Sequence, residues 1–404
     1  MRFISDVGAE RRESVPSAAR VMLKMLERLH AGILELTTPD GEQLVFEGSE
    51  SGPSVSISLF DWDVCGTMLS RGDVGCAETY MAGRWQASDL SDLLLLALRN
   101  EAALHTAIHG RWWSRLLFRL RHLRRANTRR GSKRNISAHY DIGNEFYALW
   151  LDSTMTYSSA LFSDGTESLE QAQIAKYERI LERLHVGTEH HVLEIGCGWG
   201  GFATYAARTR GCKVTGLTLS REQLAASRER VALLGLDAQV NFELCDYRDH
   251  SGSYDRVVSI EMLEAVGERY WSDYFRLLRE RLRPGGGAIV QTITVDDTHF
   301  ARYRGGSDFI QQYIFPGGML PPPTGLTQLV SHAGLRESER FSFGLDYART
   351  LRLWRERFDT RLAEVGQLGL DEPFQRLWRF YLAYCEAGFR HGRTDVVQLE
   401  VWRD

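Results

Sequence analysis

The stretch His191-Val192-Leu193-Glu194-Ile195-Gly196-Cys197-Gly198-Trp199-Gly200-Gly201 decides the fold. A short, mostly apolar strand runs into a glycine-rich turn, and residues 201–210 beyond it read as a helix. Glycine at such a turn lets the backbone approach a ligand that a Cβ would hold away. Working outward, residues 213–218 read as a strand, 221–234 as a helix, 240–244 and 254–260 as strands, 271–282 as a helix and 288–292 as a strand. Strands alternating with helices build a doubly wound, mostly parallel sheet. The expected fold is therefore α/β and Rossmann-like. Helices at 351–362 and 374–388 and an antiparallel last strand at 396–402 complete it.

The turn also satisfies G-x-G-x-x-G through Gly196, Gly198 and Gly201. A dinucleotide site asks for a carboxylate at the end of the second strand, about 20 residues on. The second strand here ends Thr215-Gly216-Leu217-Thr218-Leu219-Ser220, without one. Glu194, two residues before the first glycine, instead gives E-x-G-x-G-x-G with Gly196, Gly198 and Gly200, the opening motif of class I methyltransferases that use S-adenosylmethionine. Cys245-Asp246-Tyr247 follows the third strand, where an acid and a flat side chain suit an adenine. An Asp in that place also serves simply as a turn former.

Seven strings then appear in order. They are 139–147 (His-Tyr-Asp-Ile-Gly-Asn-Glu-Phe-Tyr) with Leu151-Asp152, Met155-Thr156-Tyr157-Ser158, the glycine-rich turn, 215–223 ending Arg221-Glu222-Gln223, Glu264-Ala265-Val266-Gly267, Tyr313-Ile314-Phe315-Pro316-Gly317-Gly318 and Tyr347-Ala348-Arg349-Thr350-Leu351. Together they resemble the cyclopropane fatty acid synthase family, which includes the mycolic acid cyclopropane synthases, over about residues 139–402. The resemblance implies that Tyr157, Ser158, Gly196, Gly198, Thr218, Leu219, Gln223, Asp246, Tyr247 and Ile260 line an S-adenosylmethionine site. It implies attack of a cis double bond, in an unsaturated phospholipid acyl chain, on the sulfonium methyl. It further implies a bicarbonate ion held by groups at Ser159, Glu264, Gln291, Ile293 and Tyr347. Ser159 stands where the family has Cys and Gln291 where it has His, which puts the bicarbonate in question.

An alkene is a weak nucleophile, and its methylation leaves a carbocation that water would trap. The site must be dry and must remove a proton quickly. Aromatic faces stabilise developing positive charge, a use open to Tyr347, Phe309 and Tyr313, although each also fits plain core packing. Glu264 lies just past the fourth strand, where open α/β sheets place their chemistry, and burial makes it a usable base. Ring closure gives a cyclopropane, the expected product, because the family as a whole favours it. Formation of an exocyclic double bond gives a methylene branch, and Glu-Ala-Val-Gly with Gln291 resembles the part of the family that makes methylene- or methyl-branched chains. A silent lipid-binding or partner subunit keeping this fold is the alternative from another class.

The rest of the chain is read around that domain. Of the 404 residues, 43% are apolar and 25% charged, with a net charge of −4, which excludes a globally basic nucleic-acid binder. Residues 1–105 read as a small α+β domain: a helix at 18–29, alternating strands across 32–60, and helices at 62–69 and 90–98 joined through 72–83. Residues 106–138 form a basic connector, and 139–404 the methyltransferase domain. No Asp or Glu occurs between Ala102 and Tyr140, while 111–134 carries ten Lys and Arg residues. On a helical projection of 111–125, Trp112, Trp113, Leu116, Leu117, Leu120 and Leu123 share an arc of roughly 140°, opposite Arg111, Arg115, Arg119, Arg121, His122 and Arg125, with Phe118 and Arg124 on the wrong faces. That is the composition of a helix lying on an anionic membrane surface; a domain-joining helix is the competing reading. No run reaches the ~20 apolar residues that span a bilayer. The N-terminus shows no secretory signal, and the six scattered cysteines form no C-x-x-C pair, against a disulfide framework or a zinc site. The expectation is a cytoplasmic enzyme bound peripherally to the membrane, with no nucleic-acid partner and no metal; a homodimer is implied by the resemblance alone.

Overall fold

The structure, a computed structural model, describes residues 15–105 and 142–404 apart from positions 164 and 166. The basic strip at 111–134 and His139-Tyr140-Asp141 lie outside the described residues. The chain divides into two units, residues 1–117 with 358–391 and residues 118–357 with 392–404.

The first unit opens with helix α1 (Ser17–Leu26), strands β1 (Ala31–Thr37), β2 (Gln43–Glu47) and β3 (Glu50–Leu59), helix α2 (Asp63–Met81), strand β4 (Trp85–Ala87) and helices α3 (Leu90–Arg99) and α4 (Glu101–His105). The strands form one sheet in the order β2-β1-β3-β4. Leu34 and Leu36 are buried and Glu35 between them is exposed, the period of a half-buried strand. Helix α2 corrects the expected connector at 72–83: it runs on to Met81, and only Gly72 departs from helical geometry. Val74, Ala77 and Tyr80, three residues apart, bury one face and hold the second half of that helix.

The second unit contains helices α5 (Asn144–Ala148) and α6 (Leu169–Arg183), then β5 (His191–Ile195), α7 (Gly201–Arg210), β6 (Lys213–Thr218), α8 (Arg221–Leu234), β7 (Val240–Leu244), β8 (Tyr254–Ile260), α9 (Leu263–Val266), α10 (Trp271–Arg281), β9 (Leu282–Val295), α11 (Asp297–Arg304), α12 (Pro323–His332), β10 (Arg336–Ser342), α13 (Gly344–Asp359) and, after the return to the first unit, β11 (Thr394–Trp402). The sheet order is β10-β11-β9-β8-β5-β6-β7, and β11 alone runs antiparallel to its neighbours β9 and β10. This is the expected doubly wound sheet with an antiparallel last strand. Adjacent central residues feed opposite layers: Val192 and Val258 pack with Ile180 and Phe202, while Leu193 and Val257 pack with Tyr274 and Phe275. Strand order reverses at β5 and β8, and ligands of such sheets bind in the crevice beyond the carboxyl ends there. Strand β10 was not read from the sequence because Arg-Glu-Ser-Glu-Arg-Phe-Ser offers little apolar alternation; as an edge strand it pairs with β11 alone.

Residues 358–391, assigned by sequence to the catalytic domain, cluster with the first unit instead. They carry helices α14 (Leu362–Gln367) and α15 (Glu372–His391). Helix α15 packs on α2 and α3, burying Trp378, Phe380 and Tyr381. Tyr384 donates to Asp73 at 3.0 Å, and Arg390 pairs with Asp92 at 2.8 Å. An amphipathic helix sorts by the apolar face available to it, which a linear division of the chain does not reveal.

Candidate active site

The glycine-rich turn leaves β5 and enters α7 with Gly196, Gly198 and Gly200 all at positive φ. At Gly200 (φ +77°) a Cβ would lie 2.7 Å from Phe242 Cζ and 3.1 Å from Ser227 Cβ. At Gly198 (φ +51°) a Cβ would meet nothing within 4 Å, so its open face is a cradle that only a glycine leaves clear. Beneath the turn, the buried Glu194 carboxyl accepts the Ala203 N–H, and its Oε2 has no hydrogen-bond partner. Burial raises its pKa well above the usual range. The other expected cofactor residues gather at the same sheet end. Thr218 Oγ1 donates to Gln223 Oε1 at 2.9 Å, and Ser220 caps α8 through the Gln223 N–H. Leu219 is half-buried between them. Asp246 is held bidentately by Arg248, and Tyr247 stands edge-on to Tyr274 with centroids 5.6 Å apart. Trp199 donates from Nε1 to Asn144 Oδ1 at 2.7 Å, which ties the glycine turn to α5. Tyr157 sits among Tyr147, Trp150 and Trp354. An open glycine face, an orphaned buried carboxyl oxygen and the free N–H groups of a helix start suit an amino-acid-bearing nucleoside such as S-adenosylmethionine.

At the end of β8, after Ile260, the sequence reading missed the central residue. Glu261 adopts φ +51°, a conformation uncommon for a non-glycine residue and found where structure is held for function. Its carboxylate accepts the Ser159 N–H at 2.9 Å, the Gln291 Nε2–H at 2.8 Å and the Tyr347 O–H at 2.6 Å. The Gln291 amide is oriented in turn: its Oε1 accepts from Gln398 Nε2 at 3.1 Å, and Gln398 Oε1 accepts from Arg179 at 2.8 Å. With Oε1 occupied, Nε2 is committed to Glu261. The signal was present in Ile260-Glu261-Met262, a carboxylate at the very tip of a central strand.

The five groups expected to hold bicarbonate therefore divide. Gln291, Tyr347 and the backbone of Ser159 converge on Glu261, while the Ser159 hydroxyl turns to the Ala160 carbonyl at 2.9 Å. Ile293 N–H and Thr292 O–H both donate to Glu264 Oε1, leaving Glu264 Oε2 buried without a hydrogen-bond partner. The donors that would grip an anion are spent on the chain's own carboxylate, so these residues do not fit a separate bicarbonate.

The two carboxyls sit in opposite electrostatic situations. Burial raises both pKa values. For Glu261 the Tyr347 hydroxyl, the Lys176 ammonium and the two N–H donors oppose the rise. Glu264 is pushed up to about 8 by burial and by the neighbouring Glu261, against weaker opposition. Of the two, Glu261 has the charge-supporting partners, and Glu264, beside it, is the one pushed toward its protonated form. Tyr347, which donates to Glu261, lies edge-on to Trp354 at 6.2 Å; Phe309 is fully buried and stacks 5.7 Å from the exposed Tyr313.

The family model for mycolic acid cyclopropane synthetase matches residues 127–399. Tuberculostearic acid methyltransferase UfaA1 of Mycobacterium tuberculosis is 42% identical over 96% of this chain and 92% of its own length. Cyclopropane-fatty-acyl-phospholipid synthase of Escherichia coli K12 is 36% identical over 80% of this chain and 81% of its own. Among solved structures, cyclopropane synthase MmaA2 of Mycobacterium tuberculosis is 31% identical, with a TM-score of 0.63 over 67% of this chain and 98% of that one. Mycolic acid cyclopropane synthase CmaA1, complexed with SAH and CTAB, gives the same identity, coverage and score.

Proposed function

The chain belongs to the mycolic acid cyclopropane synthetase family of S-adenosylmethionine-dependent methyltransferases, and from that premise we propose that it methylates the cis double bond of unsaturated phospholipid acyl chains to give a methylene- or methyl-branched chain. The observation that carries this reading is the buried Glu261 carboxylate, fixed by three donors at the end of β8.

S-adenosylmethionine supplies an electrophilic methyl group on a sulfonium. The residues of the chain do the rest. The aromatic wall and the buried setting keep water from the cation that methylation leaves on the acyl chain. The fixed Glu261 carboxylate stabilises that cation and takes one proton from it. A hydride moves from the methyl-bearing carbon to its cationic neighbour, and loss of a methyl proton then forms the exocyclic C=CH2. Later reduction of that bond by a separate hydride donor gives a methyl branch. Loss of the methyl proton without the hydride shift closes a cyclopropane ring.

Two observations support the branch over the ring. A relative that matches nearly the whole of both chains is named a tuberculostearic acid methyltransferase and not a cyclopropane synthase. The base is a built-in carboxylate rather than the anion implied by the resemblance to cyclopropane synthases. The cyclopropane reading keeps the support of the family model and of the Escherichia coli relative. Docking on anionic lipid through residues 111–134 belongs to the same proposal. Among the described residues no helix is long and apolar enough to cross a membrane.

The test is expression in a host lacking modified fatty acids, fed methyl-13C-labelled methionine, with carbon NMR of the extracted lipid. The proposal expects label in an olefinic CH2 carbon. Label confined to a high-field cyclopropane CH2 overturns the branched product, and no label in lipid overturns acyl methylation.

A further inference from the structure

Lys176 lies on α6 with no exposed surface. Its ammonium donates to Ser158 Oγ at 2.7 Å and stands 5.0 Å from the centre of the Tyr177 ring. One turn earlier, Gln173 donates from Nε2 to the Ser158 carbonyl at 2.9 Å. Two side chains of one helix thus grip a single residue by its hydroxyl and its carbonyl. The next residue is Ser159, whose N–H is one of the three donors to Glu261. Carboxyls face the ammonium from three further elements: Glu194 on β5, Asp152 after α5, and Glu261 after β8. Burying a lysine is costly, and it persists where nearby carboxylates repay the lost hydration. Burial pushes Lys176 down to about 7, with Glu261 opposing that fall most strongly.

Resting on the reading of Glu261 as the base, we propose that Lys176 is its positioning residue: through Ser158 it holds the Ser159 N–H on the Glu261 carboxylate, and its positive charge keeps that carboxylate ionised in a site closed to water. The energetic logic is direct. Glu261 and Glu264 would repel each other if both were charged, and an ammonium on the Glu261 side decides which of them carries the charge.

The test uses the full chain with K176M, which removes the charge and the donor, and K176Q, which removes the charge and keeps a donor for Ser158. Both are compared with E261Q and with the K176M/E261Q pair. Loss of a neighbouring opposite charge raises a carboxyl pKa by about 1–3 units. The acid limb of kcat/KM against pH is therefore expected to move up by about that much in both Lys176 variants. K176Q, which keeps a donor for Ser158, should retain S-adenosylhomocysteine binding measured by calorimetry. The K176M/E261Q pair should be no slower than E261Q alone, since the lysine acts through the glutamate. A pH profile superimposable on that of the wild type, or rate losses that multiply in the pair, overturns the proposal. The same four proteins are compared by thermal unfolding, where Lys176 and Glu261 should show non-additive effects; additivity there also overturns it. That readout needs no methyl transfer, so failure of the acyl substrate leaves it intact. If K176M does not fold, K176Q and the K176Q/E261Q pair carry both measurements.

Discussion

Tyr347 and Glu261, 86 residues apart in sequence, meet through a 2.6 Å hydrogen bond from the phenol to the carboxylate. The bond joins helix α13 to the tip of β8 and is the shortest of the three that fix Glu261. A charge-assisted hydrogen bond of this kind stabilises the ionised carboxylate by about 1.5–3 kcal/mol.

Y347F removes that donor and raises the Glu261 pKa. Because catalysis needs the ionised form, the acid limb of kcat against pH moves upward by about 1–2 units, and activity is lost from the low-pH side first. Steady-state rates from pH 5 to pH 9 check this; an unmoved limb contradicts it.

With the anion-gripping donors spent on Glu261, added bicarbonate should leave the rate of the wild-type enzyme unchanged in carbonate-depleted buffer. Methyl transfer into unsaturated phospholipid vesicles, followed as bicarbonate is titrated in, makes the comparison. A rate that climbs with bicarbonate would falsify the assignment of that position to Glu261.

The raised pKa of Glu264 carries a stability signature. The folded chain keeps the Glu264 proton from the ordinary 4.5 up to about 8, whereas the unfolded chain releases it near the lower value. Protons bound only in the fold mean that stability falls as pH rises through that window. E264Q never ionises, so it removes this slope and should raise Tm above the wild type at pH 7–8 more than at pH 4. Parallel Tm curves across the range would contradict a protonated, buried Glu264.

G200A forces a Cβ into a left-handed turn and against Phe242, at 2.7 Å. Left-handed strain alone costs about 1–2 kcal/mol. The expected result is a lowered Tm and weakened S-adenosylhomocysteine binding by calorimetry, while G369A, at positive φ with open space around it, should lower Tm but leave that binding intact.

Much of this site was legible in the sequence because its pieces are local. The glycine turn, the strand before it and the helix after it are contiguous, and their periodicities and glycine positions follow from backbone sterics. Tyr347 and Glu264 were found through motif strings, and Gln291 through the family resemblance. Glu261 was not, although it lies three residues from Glu264, because its importance comes from donors on three distant segments rather than from its own neighbours. The Arg179-Gln398-Gln291 chain was hidden for the same reason: a glutamine on the last strand gains meaning only when β11 inserts antiparallel beside β9. Helix α15 shows the limit at domain scale, since its apolar face was readable and its choice of partner was not.

As the proposed base, the Glu261 carboxylate must carry its charge for methyl transfer to turn over. E261Q keeps size and most hydrogen-bonding capacity while removing the charge, so the measurement is kcat for methyl transfer from labelled S-adenosylmethionine into unsaturated phospholipid vesicles, with S-adenosylhomocysteine binding as the control for folding. A loss of about 10²–10⁴-fold with binding retained is predicted. Turnover within a few-fold of the wild type would contradict the account.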